Sequence, residues 1–143
     1  MATQAIVVGE CGGPEVLELT EVEVREPGPG EIRVAVEAAG VNFKDICRRT
    51  GVSAEMPPFV LCLEGAGTVE MLGEGVTGLA VGQRVAWVDA PGSYAGKVAL
   101  HAERAVPVPV AVPTDVAAAA SAQGVTAHFL TCCTYPVSRV TRC

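Results

Sequence analysis

Glycine and proline interrupt this chain so often that long helices have little room to form. Sixteen of the 143 residues are glycine and ten are proline, and both types favour turns over the interiors of helices. Between these interruptions lie short runs with the alternating pattern that is typical of strands. We expect strands at 4–8, 16–24, 31–38, 64–73, 81–88 and 94–101, and an extended segment at 106–110. The first three are predicted to pair in sequence as antiparallel neighbours.

One short helix is predicted between Ala39 and Gly51. Asn42 is a good N-cap residue, because its side-chain carbonyl can accept a hydrogen bond from the first helical turn. Gly51 suits the position just after the helix, where the backbone often turns left-handed. Helical spacing indicates an apolar face and a polar face. The apolar face would hold Phe43, Ile46 and Cys47, and the polar face Lys44, Asp45, Arg48 and Arg49.

A second helical region is predicted nearer the C-terminus. Thr114 or Asp115 would be the N-cap, followed by the alanine-rich run 116–122. Gly124 is predicted to interrupt this helix, because glycine weakens helix interiors. A further helix would then begin at 125–130.

Charge and hydropathy exclude several classes of partner. The formal net charge of −6 is unfavourable for binding nucleic acid or an anionic membrane surface, which require basic patches. No apolar run reaches the roughly 20 residues needed to cross a bilayer. The first residues lack the basic region and apolar stretch of a secretory signal. We therefore expect a cytoplasmic protein.

The six cysteines do not have the spacing of a metal site. No CxxC pair is present, and neither histidine stands at a zinc-finger distance from a cysteine pair. We expect no bound metal and no required disulfide. The run 65–67, Gly-Ala-Gly, superficially suggests a phosphate loop. It lacks a third glycine and a following helix start, so we reject it as a dinucleotide fingerprint.

Eight motifs in register resemble the quinone oxidoreductase (zeta-crystallin-like) branch of the zinc-independent medium-chain dehydrogenase/reductase superfamily. They are Gly-Gly-Pro-Glu-Val-Leu (12–17), Pro-Gly-Pro-Gly-Glu (27–31), Gly-Val-Asn-Phe-Lys-Asp (40–45), Glu-Gly-Ala-Gly (64–67), Gly-Glu-Gly-Val (73–76), Val-Gly-Gln-Arg-Val (81–85), Gly-Ser-Tyr-Ala (92–95) and Gln-Gly-Val-Thr-Ala-His (123–128). The resemblance runs from residue 4 to about residue 137.

This resemblance implies a mainly β (α+β) fold, namely a GroES-like, partly open β-barrel with short helices and a C-terminal helical stub. Similar proteins continue into a Rossmann domain and bind NADPH in the cleft between the two domains. They reduce quinones or activated enones by hydride transfer and are usually homodimers. We therefore expect a small quinone or enone as the substrate, and a homodimer for the full-length protein.

The resemblance also implies site residues. Asn42 is the expected catalytic residue, because its amide can donate to a substrate carbonyl or to the nicotinamide carboxamide. The expected cofactor-binding residues are Asn42, Phe43, Lys44, Asp45 and Thr126. Simpler roles stay open: Asn42 and Thr126 as helix caps, and Lys44 as a solvated charge.

Other positions depart from the relatives. The resemblance implies that zinc-dependent relatives have metal ligands at the positions of Asn42 and Leu63 and near Gln123, and none of these three residues can serve here. Cys47 replaces a common tyrosine, and Gly96-Lys97 replaces a usual Glu-Tyr. Cys62 replaces a usual glycine and would be strained if its φ is positive.

The resemblance places a domain boundary near residue 124. Residues 1–124 would form the GroES-like catalytic domain, and 125–143 the start of a truncated nucleotide-binding domain. The last six residues, 138–143, depart from the family pattern, and our hypothesis is a shift of reading frame. We expect the 143-residue chain alone to bind NADPH weakly or not at all and not to reduce quinones. Two alternatives stay open, a non-catalytic GroES-like binding module and an enoyl reductase acting on thioesters.

Overall fold

The computed structural model describes residues 1–135 and 137. Its ten main elements are β1 (Ala2–Val8), β2 (Leu17–Glu23), β3 (Glu31–Ala39), α1 (Phe43–Arg49), β4 (Phe59–Val60), β5 (Gly65–Leu72), β6 (Arg84–Trp87), β7 (Lys97–His101), β8 (Ala105–Pro107) and α2 (Thr114–His128). Short 3₁₀ turns occupy Pro14–Val16 and Ala102–Arg104, and a π-helical segment, Phe129–Thr134, follows α2. The run 138–143, where we placed the reading-frame hypothesis, lies outside the described residues.

Two antiparallel sheets form the body of the domain. The first has the strand order β2-β1-β4, and the second has the order β7-β3-β5-β6-β8. The two sheets and two helices make a partly open GroES-like β domain, and in residues 1–135 and 137 the strands do not close into a full barrel. The expected fold class, mainly β with short helices, is confirmed. Within the same residues, neither helix is long and apolar enough to cross a membrane.

The predicted pairing of the second and third strands is wrong. After β2 the chain passes through the segment 27–30 into the larger sheet, where β3 lies between β7 and β5. Its alternating apolar residues Ile32 and Val34 are fully buried there, and even the intervening Arg33 is 6% exposed. The alternation correctly indicated a strand with a buried face, but alternation alone does not specify the neighbouring strand.

The main core lies on one face of the five-stranded sheet. Its buried members are Ile32, Val34, Val69, Val85, Trp87, Ala90, Val98 and Leu100. A second, smaller cluster joins Ala66 and Ala86 of the sheet to Ala117 and Ala118 of α2. Small side chains on both sides let the helix lie close against β5 and β6, which fixes the position of α2 relative to the strands.

Gly124 does not interrupt α2, contrary to the prediction. The helix runs without a break from Thr114 to His128, and its N-cap is Pro113 rather than Thr114 or Asp115. A glycine within a helix costs only about 1 kcal/mol relative to alanine. The contacts of the first half of the helix with the sheet offset that cost. The hydroxyl of Thr114 is hydrogen-bonded to Glu37 Oε2 at 3.0 Å.

The run 65–67 begins β5 and is not a phosphate loop. A Cβ atom on Gly67 would overlap the carbonyl oxygen of Ala35 on the neighbouring strand β3. The glycines here allow two backbones to approach closely, which is a common reason for glycine within a strand.

Candidate functional site

Helix α1 begins after Asn42 and ends before Gly51 as the sequence predicts, but the Asn42 side chain does not make the predicted cap hydrogen bond. Asn42 is the N-cap residue, and its backbone N–H donates to Asp45 Oδ2 at 3.0 Å, as in one half of a capping box. Gly51 follows the C-terminal end with a φ of +79°, in the left-handed region. These two anchors fix where the Asn42 side chain begins.

The burial of α1 differs from the predicted faces at Asp45, Arg48 and Phe43, whereas Lys44 is exposed as expected. Asp45 and Arg48 are buried at 4% and 3% exposure, whereas Phe43 is 77% exposed. Arg48 donates through Nε and Nη2 to the Glu55 carboxylate at 2.5 and 2.8 Å, and its guanidinium lies 4.9 Å from the centre of the Phe59 ring. The ion pair and the stacking partly offset the cost of burying the guanidinium, although its Nη1 has no hydrogen-bond partner within the described residues. Phe43 and Ile46 therefore face outward, while Cys47 is partly buried.

The Asn42 side chain belongs to a hydrogen-bond network that joins three separated parts of the chain. Its Nδ2 donates to Glu64 Oε1 at 2.9 Å, and its Oδ1 accepts from Gln123 Nε2 at 3.0 Å. The second oxygen of Glu64 accepts from the backbone N–H of Ala122 at 2.8 Å. Glu64 immediately precedes β5, and both Ala122 and Gln123 lie in α2. The network thus ties the N-terminus of α1 to the sheet and to α2.

A cleft of about 300 Å³ opens beside this network. It is lined by Asn42, Phe43, Lys44, Leu63, Glu64, Val88, Asp89 and Ala122. At its edge, Lys44 Nζ lies 3.7 Å from Asp89 Oδ1, and both side chains are more than half exposed. The walls combine apolar groups with a few polar groups, which is the composition expected of a small-molecule site.

Three of the five predicted site residues, Asn42, Phe43 and Lys44, line this cleft. Asp45 lies on the buried side of α1 and accepts a hydrogen bond from the backbone N–H of Asn42. Thr126 is exposed on α2, one turn beyond Gln123, and does not line the cleft. Roles for these five residues in binding or catalysis stay predictions.

Two site residues, Glu64 and Gln123, were not proposed for any role from the sequence. Glu64 is 0% exposed in the structure. The signal available in the sequence was a charged residue directly before the small residues 65–67. Gln123 was noted only because the resemblance places a ligand of zinc-dependent relatives near it. Neither signal shows from sequence alone that both side chains reach Asn42.

Burial changes the acidity of three groups around the network. It raises the pKa of the Asp45 carboxyl, and the Asn42 N–H only partly opposes the change. Burial raises the pKa of the Cys62 thiol to about 11, and that of the Tyr94 hydroxyl to about 12, with nearby acidic groups adding to the shift. These three groups are therefore kept in their protonated forms more strongly than in water.

Cys62 has a φ of +74°, so the strain foreseen where relatives have glycine is present. Its Sγ is within hydrogen-bonding distance of the carbonyl oxygens of Gly40, at 3.2 Å, and Glu64, at 3.1 Å. The thiol connects the segment before α1 to the segment before β5. It therefore supports the backbone on both sides of the Asn42–Glu64 hydrogen bond.

Asn42, Leu63 and Gln123, the residues that the resemblance compares with zinc ligands of other relatives, come together in this structure. Asn42 and Leu63 line the same cleft, and Gln123 is bonded to Asn42. Two carboxamides and an alkyl group offer neither thiolate nor imidazole, the usual zinc ligands. In the described part of the chain, no group of three or more His, Cys, Asp or Glu residues is placed to hold a metal ion.

The two antiparallel sheets and two helices define a partly open GroES-like β domain. Comparison with known families gives a match to the alcohol dehydrogenase GroES-like domain over residues 28–131. The chain therefore belongs to this family, and its relatives are quinone oxidoreductases of the medium-chain dehydrogenase/reductase superfamily.

Two curated relatives and one solved structure illustrate the similarity. A quinone oxidoreductase of Pseudomonas aeruginosa is 42% identical over 126 residues, covering 87% of this chain and 39% of the relative. A 2-haloacrylate reductase of a Burkholderia species is 37% identical over 133 residues, covering 88% of this chain and 40% of the relative. The Escherichia coli quinone oxidoreductase in complex with NADPH superposes with a TM-score of 0.90 at 34% identity, over 94% of this chain and 42% of that one.

This chain spans about two fifths of the length of the curated relatives it matches. NADPH is the cofactor bound in the E. coli structure, in agreement with the cofactor expected for the full-length family.

Proposed function

We propose that this chain is the substrate-side domain of a zinc-independent, NADPH-dependent reductase that acts on quinones or activated enones. The observation that carries the proposal is the position of the Asn42 carboxamide. It lines the cleft and is held there by hydrogen bonds to the side chains of Glu64 and Gln123. Only one of its two Nδ2–H groups is used in the network. The other is a donor available to a carbonyl oxygen in the cleft.

The residues of the cleft have separable roles in this proposal. The nicotinamide of NADPH supplies the hydride when it is bound. Asn42 donates a hydrogen bond to the substrate carbonyl or to the nicotinamide carboxamide, and a fixed donor of this kind stabilises charge that develops on oxygen. The exposed Phe43 ring provides an apolar wall for a flat substrate. Lys44, paired with Asp89 at 3.7 Å, borders the opening.

Asp45 and Thr126 have more indirect parts. Asp45 supports Asn42 through its backbone N–H, so it contributes to the cofactor side by holding the N-terminus of α1. Thr126 lies on the exposed side of α2, one turn past Gln123, where its hydroxyl is free to meet a cofactor bound across from the cleft.

The amide-based site supports the absence of zinc from the proposed mechanism. Carbonyl polarisation would come from hydrogen bonds, since Asn42, Leu63 and Gln123 are the residues that the resemblance compares with zinc ligands of other relatives. The proposal has three further parts. Residues 125–143 begin a nucleotide-binding domain, the full-length protein is a homodimer, and its location is cytoplasmic.

The pyrophosphate of a dinucleotide needs a glycine-rich turn at a helix N-terminus. The run 65–67 lies within a strand and does not supply one. We therefore expect the 143-residue chain alone to bind NADPH weakly and not to reduce quinones. A fluorescence titration of the purified chain with NADPH measures this, and tight binding would contradict the expectation.

The activity is tested by joining residues 1–137 to the nucleotide-binding domain of the E. coli quinone oxidoreductase, whose structure matches this chain closely. We expect NADPH oxidation in the presence of quinones or small enones. Asn42→Ala should lower kcat/KM by about 100-fold, the loss typical of removing a donor to a developing oxyanion. Gln4→Ala, which truncates an exposed carboxamide on β1, is the matched control and should leave activity unchanged.

A substrate panel separates the alternatives. Quinones and enones should be reduced faster than enoyl thioesters, and the reverse order would favour an enoyl reductase of thioesters. A folded fusion protein that binds NADPH but reduces none of the panel would favour a non-catalytic binding module and contradict the proposed function.

A further inference from the structure

The most deeply buried carboxylate in the described residues, Glu64, is accounted for by neither the core nor the direct chemistry of the cleft. It is 0% exposed and its two oxygens each accept one hydrogen bond, from Asn42 Nδ2 and from the N–H of Ala122. A buried carboxyl is costly unless its oxygens are satisfied. Its presence behind a predicted catalytic amide calls for a role.

We propose that Glu64 is a positioning residue that sets the orientation of the Asn42 carboxamide, so that a nitrogen-bound hydrogen rather than the oxygen is available to the cleft. This inference rests on the proposed function for its catalytic meaning. The positioning itself concerns only contacts within this chain.

The orientation follows from the donors and acceptors of the network. The backbone N–H of Ala122 is fixed within α2 and can only donate, and it donates to one carboxylate oxygen of Glu64. The other carboxylate oxygen is likewise an acceptor, so the Asn42 group that faces it must be Nδ2. Asn42 Oδ1 then points to Gln123, whose Nε2 donates to it at 3.0 Å. The second hydrogen of Nδ2 makes no hydrogen bond within residues 1–135 and 137.

Gly40 makes room for this arrangement. A Cβ atom on Gly40 would overlap Oε1, Cδ and Cγ of Glu64. The Gly40 N–H also donates to the backbone oxygen of Glu64 at 3.3 Å. The chain therefore brings the segment before α1 directly against the Glu64 side chain, and any side chain larger than hydrogen at residue 40 would displace the carboxylate.

Glu64→Gln tests orientation without a change of size. If the new amide turns its oxygen to the N–H of Ala122, its nitrogen faces Asn42, and Asn42 must rotate to present Oδ1. If it turns the other way, two N–H groups of residues 64 and 122 face each other without an acceptor. The substitution therefore either reverses the Asn42 amide or leaves an unmade hydrogen bond.

The direct measurement is the side-chain amide spectrum of the ¹⁵N-labelled chain by NMR, with the Asn42 pair assigned by its loss in Asn42→Ala. In the wild type we expect two well-separated Nδ2 proton signals, with the one bonded to the carboxylate shifted downfield and slow to exchange. In Glu64→Gln that signal should move upfield and exchange faster. An Asn42 pair that is degenerate and rapidly exchanging in the wild type would overturn the proposal, whether or not the variant folds.

Two further variants isolate the role of Glu64. Gln123→Leu removes the donor to Oδ1 from a solvent-exposed position, and the downfield signal should persist because Glu64 still orients the amide. Asp45→Asn, the matched control, alters a buried carboxyl that accepts from the backbone N–H of Asn42 and not from its side-chain amide, and should also retain the signal. Loss of the signal in Gln123→Leu, with retention in Glu64→Gln, would assign the orientation to Gln123 and refute the proposal.

Kinetics of the fusion protein add the catalytic meaning. Glu64→Gln should lower kcat by about 10-fold or more, as losses of supporting hydrogen bonds do at other sites, with a smaller change in KM for NADPH. A folded wild-type fusion that binds NADPH but is inactive would refute the proposed function alone, since the NMR result is independent of turnover. An active fusion in which Glu64→Gln leaves kcat unchanged would refute the catalytic meaning of the proposal, whereas the NMR measurement tests the positioning itself.

Discussion

Gly124 lies within α2, four residues after Ala120 and four before His128, and its replacement by alanine tests whether this helix is continuous. The backbone at Gly124 is outside the left-handed region, and an added Cβ atom would meet only the Cβ of Ala120, at an ordinary contact distance of 3.8 Å. The added methyl group therefore requires no rearrangement.

The expected size of the effect follows from the helix itself. Alanine is favoured over glycine by about 1 kcal/mol in a helix interior, chiefly because glycine loses more backbone entropy on folding. Gly124 is exposed, so burial adds little. Gly124→Ala should therefore raise the free energy of unfolding by about 0.5–1 kcal/mol, which corresponds to a few degrees in Tm for a domain of this size.

The assay is urea unfolding followed by two signals. The chain has a single tryptophan, Trp87, which is 1% exposed in the main core, so its fluorescence reports global unfolding. Circular dichroism reports helix content, which should also rise if the second half of α2 is partly frayed. Gly124→Ser, with a poorer helix former, should gain less. A loss of stability in Gly124→Ala without a change in m would mean that the helix ends before residue 124, as the sequence alone predicted.

Three further outcomes are expected from the same structure. Gly67→Ala should destabilise the domain by about 3 kcal/mol or more, because its Cβ would overlap the Ala35 carbonyl oxygen, and a stable variant in the same urea assay would contradict this register of β3 and β5. The Arg25 guanidinium and the Gly28 N–H lower the pKa of Glu31 to about 2, so its contribution to stability is complete above about pH 4.5 and is lost as the pH falls towards 2. Glu31→Gln should flatten the pH dependence in that window, and parallel curves for variant and wild type would refute the assignment. Cys62, with its pKa raised to about 11 by burial, should resist alkylation at pH 8 while the exposed Cys11 reacts, as mass spectrometry would show; equal rates would contradict the burial of Cys62.

Local signals predicted much of the architecture. The alternation at 31–38 predicted β3 to within one residue, and the cap and glycine at 42 and 51 predicted α1. In these two cases the determining physics acts between residues close in sequence, so the sequence is informative by itself. The expectation at Cys62 came instead from the resemblance, which indicated strain if φ is positive, and the structure gives a φ of +74°.

Long-range contacts were the part that the sequence did not predict. The position of β3 between β5 and β7 depends on which buried face meets which, and α2 continues through Gly124 because the sheet supports it. Glu64, Asn42 and Gln123 are up to 81 residues apart. No spacing rule brings together three polar side chains from different elements, so the network was visible only once the fold placed them in contact.

The exposure of Phe43 and the burial of Arg48 on α1 allow a direct test of how far a hydrophobicity pattern predicts packing. A hydrophobicity pattern ranks Phe43 as a core residue and Arg48 as a surface residue, but Phe43 is 77% exposed and Arg48 only 3%. Phe43→Ala should change the free energy of unfolding by less than about 0.5 kcal/mol, as expected for an exposed position. Arg48→Ala should lower it by about 2–3 kcal/mol, because it removes the stacking on Phe59, leaves a cavity and leaves Glu55 without its partner.

A double-mutant cycle with Glu55→Gln separates the ion pair from the packing of the Arg48 side chain. The Glu55 side chain is 38% exposed, so water can partly replace its partner, and we expect packing to account for the larger share. Urea unfolding monitored by Trp87 fluorescence measures all four proteins of the cycle. If Phe43→Ala proves as destabilising as Arg48→Ala, α1 packs with the face that its hydrophobicity predicts. Phe43 would then be a core residue and could not form a wall of the cleft.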